Sequence, residues 1–288
     1  MATDEQWTFV GRKGKGSRKT PLKHGNEDKT TEVSFTYKQN MKRRSKEAHP
    51  NAAANLVEKV QRIQDLMRLS PFYVTLVDVI AAQLGESSSS VFQLVCYGLG
   101  SFTSTNAAYQ LACAALICEW LMNHETIQLQ HACLYDPIMT SDDSEVAKAM
   151  GFEVLGTNEQ GQRKAELRTL FFMPHCGKKL YQNVLLSNWG VQLEQILILG
   201  NSFAAYDDRV VAAADRRASI FSALVPYLRE ISVGKISKSW DEYVQYDAAF
   251  NDLSLHVFCQ DLLQKAEQDG VFARSVDEFD EGTDEDLM

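Results

Sequence analysis

The sequence predicts an α/β fold, a single three-layer domain with a mostly parallel sheet, preceded by two helices. Three observations lead there. Short apolar runs recur between residues 91 and 259, each run ends at glycine, proline or a small polar residue, and most are followed by a segment with helical spacing. Strands and helices alternating at these lengths give parallel strands joined by right-handed crossovers, with helices on both faces, a Rossmann-like arrangement. With 288 residues, 45% of them hydrophobic and 23% charged, the chain can bury a sizeable core.

The elements follow in order. Leu56, Val60, Ile63 and Met67 recur at i, i+4, i+7 and i+11 and so line one face of a first helix. Pro71 opens a second helix that runs to Leu84 and stops at Gly85, before the polar linker Glu86 to Ser90. Val91 to Tyr97 reads as a strand, Gly98-Leu99-Gly100-Ser101 as a tight turn, and Ser104 as the N-cap of a helix with Ala108, Leu111, Ala112, Ala115 and Leu116 on one stripe. Leu129 to Tyr135 is the next strand and ends at Asp136-Pro137. A helix from Ser141 to Met150 follows, capped by Ser141 and ended by Gly151. Phe152 to Leu155 and Thr169 to Met173 are strands, the latter closing on Pro174-His175-Cys176-Gly177 before a helix over Leu180, Val184 and Leu185. Glu194 to Leu199 is a strand ending at Gly200-Asn201-Ser202, with helical sequence from there through Leu228. Leu253 to Cys259 is expected to add a last strand.

The ends differ from this body. Residues 1–50 hold twelve basic and six acidic side chains and little apolar periodicity, so they are expected to form a basic, mostly disordered arm. Arg12-Lys13, Lys15, Arg18-Lys19 and Lys42-Arg43-Arg44-Ser45-Lys46 resemble nuclear-localisation or polyanion-contact patches. Residues 51–270 are expected to be the domain. Residues 271–288 make an acidic tail, with seven acids and no base from 277 onward. A net charge of −9 argues against direct nucleic-acid binding by the folded domain. The longest apolar stretch, Ala107 to Met122, is interrupted by Gln110 and Glu119 and falls short of a membrane span, and Met1 to Glu5 lack the features of an export signal. Six cysteines without a CxxC spacing are expected to be free thiols in a reducing compartment.

In an open parallel sheet the ligand crevice lies beyond the carboxyl ends of the strands, where the order of strands reverses. The sequence delivers Gly98, Gly100 and Ser101 there from one strand, Asp136 from a second, His175 and Cys176 from a third, and Asn201 and Ser202 from a fourth. These are the candidate ligand-binding residues, with His175 and Cys176 also able to ligate a metal such as haem iron. Gly98 and Gly100 before a helix can bring backbone N–H groups to an anion, and Asp136 can meet a ribose, or each can simply shape a turn. Thr103 replaces the third glycine of the dinucleotide fingerprint, which disfavours a nicotinamide cofactor. Lys178 and Lys179, with the helix that begins there, can activate the Cys176 thiol. No Cys-Pro dipeptide occurs, although regulatory haem-binding peptides often carry one. Cys113, Cys118 and His256 read as core, and Trp189 as the residue that closes a helix against it.

One ordered set of blocks is more specific than any of its members: Val95-Cys96-Tyr97-Gly98-Leu99-Gly100-Ser101-Phe102, Tyr109-Gln110-Leu111-Ala112, Tyr135-Asp136-Pro137, Phe172-Met173-Pro174-His175-Cys176, Asn188-Trp189, Gly200-Asn201-Ser202-Phe203 and Phe250-Asn251-Asp252. In that order the blocks resemble the sensitivity-to-red-light-reduced (SRR-like) family over about residues 91–258. The resemblance implies a regulatory protein of cytoplasm and nucleus, associated with circadian-clock function and, in animals, with regulation of haem biosynthesis. It supplies no catalytic residue. The expected function is therefore a non-enzymatic regulator whose crevice senses a small molecule, with haem as the named candidate and protein partners as yet unidentified. An enzyme using an adenosyl or nucleotide cofactor at the glycine turn and a protein-interaction scaffold are the alternatives.

Overall fold

The computed structural model describes residues 51–84, 90–210, 213–233, 236–240 and 242–279. The chain divides into two units, 1–46 and 47–288, and every described residue lies in the second. The arm over 1–50, most of the linker before the first strand and the tail beyond 279 fall outside the described residues.

A sheet of seven strands forms the middle layer: β1 Ser90–Tyr97, β2 Ile127–Tyr135, β3 Glu153–Val154, β4 Arg168–Met173, β5 Ile196–Asn201, β6 Arg229–Ser232 and β7 Leu253–Val257. Their order is β3-β2-β1-β4-β5-β7-β6. Pairing is parallel from β3 to β5, and β7 runs antiparallel between β5 and β6. The sheet is mixed but mostly parallel, as the sequence predicts.

Period-two alternation explains the two cores. Phe92, Leu94 and Cys96 of β1, Leu170 and Phe172 of β4, and Leu197 and Leu199 of β5 face one side, while Val95, Tyr97, Phe171, Met173, Ile196 and Ile198 face the other. Because both faces are covered, these strands read as unbroken apolar runs rather than as alternating ones. The first face is covered by α3 Thr105–Asn123, α4 Ser141–Ala149 and α9 Tyr243–Phe250, with α1 Ala52–Arg68 and α2 Pro71–Leu84 packed over α3. α3 is thus buried on almost every side, which is why its sequence is apolar well beyond a single stripe. The second face carries α5 Lys178–Ser187, α6 Phe203–Asp208, α8 Ile220–Leu224 and α10 Gln260–Gln268, with α7 Ala213–Ala218 beside α8.

Several boundaries differ from expectation. Thr140, not Ser141, caps α4: its hydroxyl accepts the Asp143 N–H while the Asp143 carboxylate returns to the Thr140 N–H, a reciprocal capping box. Glu194 belongs to a 3-10 turn over Gly190–Gln195, and the strand starts at Ile196. The helical stretch expected through Leu228 is three short helices followed by a 3-10 turn at Val225–Tyr227, where Pro226 removes a backbone donor. β6, α9 and α10 were not anticipated. The packed body also extends past residue 270, because Phe279 is buried against Trp189 at a 5.1 Å ring separation and its carbonyl accepts from Gln182 Nε2 at 2.7 Å.

Candidate functional site

Strand order reverses between β1 and β4, since the connection from β1 leads outward to β2 on one side and the chain later returns to β4 on the other. At the carboxyl ends of these two strands lies a crevice of about 340 Å³, bordered by Gly98, Gly100, Ser101, Asn106, Ile138 and His175. That volume is within the range of small-ligand sites, about 300–1,000 Å³.

The loop after β1 shapes one wall. Gly98 and Gly100 sit at φ +69° and +78°, a region that disfavours every L side chain. At Gly98 space is a second requirement, because a Cβ there would lie 2.5 Å from the Cys176 Sγ. Two carboxylates hold the loop from below. Asp136 accepts the Gly100 N–H at 2.7 Å through one oxygen and the Ile138 N–H at 2.9 Å through the other. Asp143, fully buried, accepts the Phe102 N–H at 2.8 Å and the Ser101 hydroxyl at 3.3 Å, and also holds the Thr140 N–H at 2.9 Å and its hydroxyl at 2.8 Å. One acid thus ties the glycine loop to the turn before α4. The first turn of α3 borders the crevice at Ser104, Asn106 and Ala107 without a side-chain cap, so its N–H groups are available to an acceptor there.

The loop after β4 forms the facing wall. His175 is exposed at φ +57°, an uncommon conformation outside glycine. Asn201 at the end of β5 holds it there: its Oδ1 accepts the His175 N–H at 2.7 Å, and its Nδ2 reaches the Cys176 carbonyl at 3.3 Å and the Tyr206 hydroxyl at 2.8 Å. The Tyr206 hydroxyl donates to the same Cys176 carbonyl at 3.1 Å, and the Tyr181 hydroxyl donates to the Met173 carbonyl while accepting the Asn201 N–H at 2.8 Å. Burial pushes both tyrosines up, so they remain protonated donors.

The predicted residues therefore separate by role. Gly98, Gly100, Ser101 and His175 border the crevice together. Asp136 and Asn201 lie behind it, engaged in holding the two loops. Ser202 faces away: its oxygen accepts the Ala205 N–H at 3.0 Å as the N-cap of α6, and it hydrogen-bonds Glu230. Glu230 also accepts the Ala204 N–H at 2.9 Å and lies 3.5 Å from Nε2 of the fully buried His256, whose Nδ1 donates to the Ile198 carbonyl at 3.0 Å. Burial pushes the Glu230 carboxyl up, but the neighbouring His256 ring, Ser202 and the Ala204 N–H outweigh it and hold it at about 2. The histidine is sealed in the fold, and the half-buried serine and glutamate are engaged in capping the start of α6.

Cys176 corrects two expectations. Only 5% exposed, it sits under Gly98 with its thiol donating to the Tyr97 carbonyl at 3.3 Å, so it is neither an open nucleophile nor an accessible metal ligand. The lysines turn elsewhere, Lys178 over the Tyr206 ring and Lys179 to Gln182 Oε1 at 3.3 Å. His175 and Cys176 thus point to different sides of their loop and do not fit as joint ligands of a haem iron. Among the described residues no group of three metal-binding side chains converges, and no helix is long and apolar enough to cross a membrane.

Sequence reasoning missed Asp143 and Asn106. Asp143 carried a signal, being the fourth residue of Thr140-Ser141-Asp142-Asp143, a capping-box spacing. Asn106 lies in the first turn of the helix that follows the glycine loop, which places it at the crevice.

Comparison with known proteins identifies the family to which these residues belong. The family model described as the SRR1 domain matches residues 56–257, from the first helix to the last strand. An Arabidopsis thaliana protein named sensitivity to red light reduced 1 is 30% identical over 224 residues, covering 74% of this chain and 78% of its own. An SRR1-like protein of Mus musculus is 38% identical over 149 residues, 51% of this chain and 56% of the mouse protein, and one of Drosophila melanogaster is 26% identical, covering 76% and 75%. The match thus spans little more than half of the mouse relative. The name of the Arabidopsis relative fits a regulatory role. Fold, strand-end crevice and family match coincide over the same residues, and the chain belongs to the SRR1-domain family.

Proposed function

We propose that this protein is a non-enzymatic regulator whose strand-end crevice binds a small polar ligand with an anionic group. Occupancy is read by protein partners in cytoplasm and nucleus, in circadian-clock control and in the regulation of haem biosynthesis. The observation that carries the reading is the glycine loop: two positive-φ glycines, pinned by Asp136 and the buried Asp143, hold an open wall beside the uncapped first turn of α3. The Gly98, Gly100 and Phe102 amides are spent on holding this wall, and it is the first turn of α3 that offers N–H donors and the positive end of a helix dipole. The exposed His175 adds a donor or acceptor opposite. Of the groups bordering the crevice, the Ser101 hydroxyl is taken up by the buried Asp143, which supports binding over catalysis.

The second reading, an enzyme with an adenosyl or nucleotide cofactor, is favoured by the position of the crevice at the reversal of strand order. Asp136 weakens it, because both carboxylate oxygens already hold backbone N–H groups.

One experiment separates the readings. The full-length protein is screened by thermal shift against adenosyl compounds, nucleotides and other small anions, beside Gly100→Ala and His175→Ala. A ligand at a hundred times its Kd adds about 2.7 kcal/mol, or roughly 5–11 °C in a body of this size. The proposal requires a hit that both variants diminish and that is not consumed. Turnover of an adenosyl compound would make the protein an enzyme. If variants that fold and lose the hit still support clock and haem phenotypes in full, the crevice is not the regulatory site.

A further inference from the structure

The opposite edge of the sheet holds a second cavity, of about 370 Å³, remote from the strand-end crevice. It opens where β4 and β5 begin, at Arg168 and Ile196, and where β6 begins at Arg229. Arg229 pairs with Val257 of β7, and Val257 pairs in turn with Leu197 of β5, so these residues share one level of the sheet. Ile196, Leu197, Val257 and Phe258 give the cavity an apolar floor, and the arginines give it two cationic walls.

Arg168 is the central observation. Its Nη2 donates to the Gln83 carbonyl at the end of α2 at 3.0 Å, and the guanidinium lies 5.5 Å from the Phe92 ring. Nε is buried without a hydrogen-bond partner, and no carboxylate stands within ion-pair distance of Arg168 or Arg229 among the described residues. A guanidinium carries five N–H donors in a planar fork, so most of its donating capacity is unspent. Buried donors in native proteins are seldom left so. Two groups work against an anion here: Glu194 in the same cavity, and the carbonyl end of α2, which already takes one donor. The first turn of α10 works for it at Gln260, where the N-cap Cys259 supplies no side-chain bond, although Asp261 offsets part of that dipole.

We propose that this cavity is a binding site for a phosphate-bearing small molecule, the phosphate on the Arg168 fork and the remainder over the apolar floor towards Arg229. Two guanidiniums against one carboxylate favour a dianion, and paired N–H donors suit phosphate geometry. The site is independent of the strand-end crevice and of the function proposed for it.

The test titrates full-length protein with inorganic phosphate and with glycerol phosphate at constant ionic strength, using chloride and acetate as controls, by calorimetry and thermal shift. Saturable binding of a phosphate species is expected, weakened about ten-fold or more in Arg229→Gln, as for loss of one charge-assisted bond. Arg168→Lys keeps the charge but loses the fork and is expected to weaken binding likewise, while His175→Ala leaves it unchanged. If Arg168→Lys does not fold, Arg229→Gln, altered at an exposed residue, decides alone. Tighter binding of the ester identifies the apolar floor as part of the site, and equal binding identifies free phosphate; both support the proposal. It is overturned if neither phosphate species saturates at millimolar concentration, if Arg229→Gln binds as the parent does, or if His175→Ala removes the binding.

Discussion

Replacing Asp143 by alanine tests the argument that a buried carboxylate builds the crevice wall. The substitution removes acceptors from the Phe102 and Thr140 N–H groups, at 2.8 and 2.9 Å, and from two hydroxyls. The hydroxyls can rotate to new partners, but the amides are fixed by the chain. The buried Phe102 amide left without an acceptor costs about 1–3 kcal/mol, whereas the amide of the exposed Thr140 can turn to water and adds little. Relief from burying a charge offsets little of this, because the donors that compensated it remain in place. At about 2–4 °C per kcal/mol for a body of this size, a central loss of about 2 kcal/mol lowers Tm by roughly 4–8 °C. Asp143→Asn retains one acceptor oxygen and is expected to lose about half as much. Urea titration and calorimetry on the full-length protein measure both. A loss below about 1 kcal/mol for the alanine variant would show that the glycine loop stands without this acid, and the account of the wall would fail.

Two further outcomes follow from the same contacts. Gly98→Ala places a Cβ 2.5 Å from the Cys176 Sγ at φ +69°, adding about 1–2 kcal/mol of backbone strain to a steric penalty of about 1–3 kcal/mol. Cys176→Ala in the same chain should recover the steric part alone, read as a coupling energy in a double-mutant cycle of denaturation midpoints; additivity would refute the contact. Glu230 is held at about 2, below its usual 4.5, so the unfolded state binds its proton first as pH falls. The stability it confers is complete above about pH 4.5 and is lost down to about pH 2. Glu230→Gln should flatten the stability profile in that window, with Glu119 and Glu159, also held low by arginine partners, accounting for the slope that remains. An unchanged slope from pH 4.5 to 2 would remove Glu230 as a contributor.

How much of this was legible depended on whether the signal was local. β1, β4 and β5 were readable because burial on both faces forces continuous apolar runs that end at glycine or proline. β6 was not, since Arg-Glu-Ile-Ser at a sheet edge has one apolar residue and half-exposed neighbours. Nor could sequence give the antiparallel course of β7, which is fixed by where α9 returns the chain. At the site, glycines and strand ends were legible as positions, while their roles were not. Asp136 read either as a ribose partner or as a turn former and holds its own turn, and Cys176, readable as an activated thiol, lies buried under Gly98. Which neighbour a strand-end side chain meets is decided by the loop from another strand, 40 to 80 residues away in the case of Asp143 with Phe102 and Cys176 with Tyr97.

That pattern bears on function. A glycine turn that served only to reverse the chain would need no buried carboxylates to hold it. This one has two positive-φ glycines, two carboxylates beneath it, and a non-glycine residue held at positive φ on the facing loop by Asn201. A non-glycine residue at positive φ persists only where surrounding structure over-determines it, and such residues cluster at sites that hold a ligand or switch. The polar groups are spent on fixing the shape of the crevice, and those left facing it are backbone amides, small side chains and one imidazole. Such a surface is suited to recognition of the kind proposed for it, because its geometry is fixed by the protein's own hydrogen bonds.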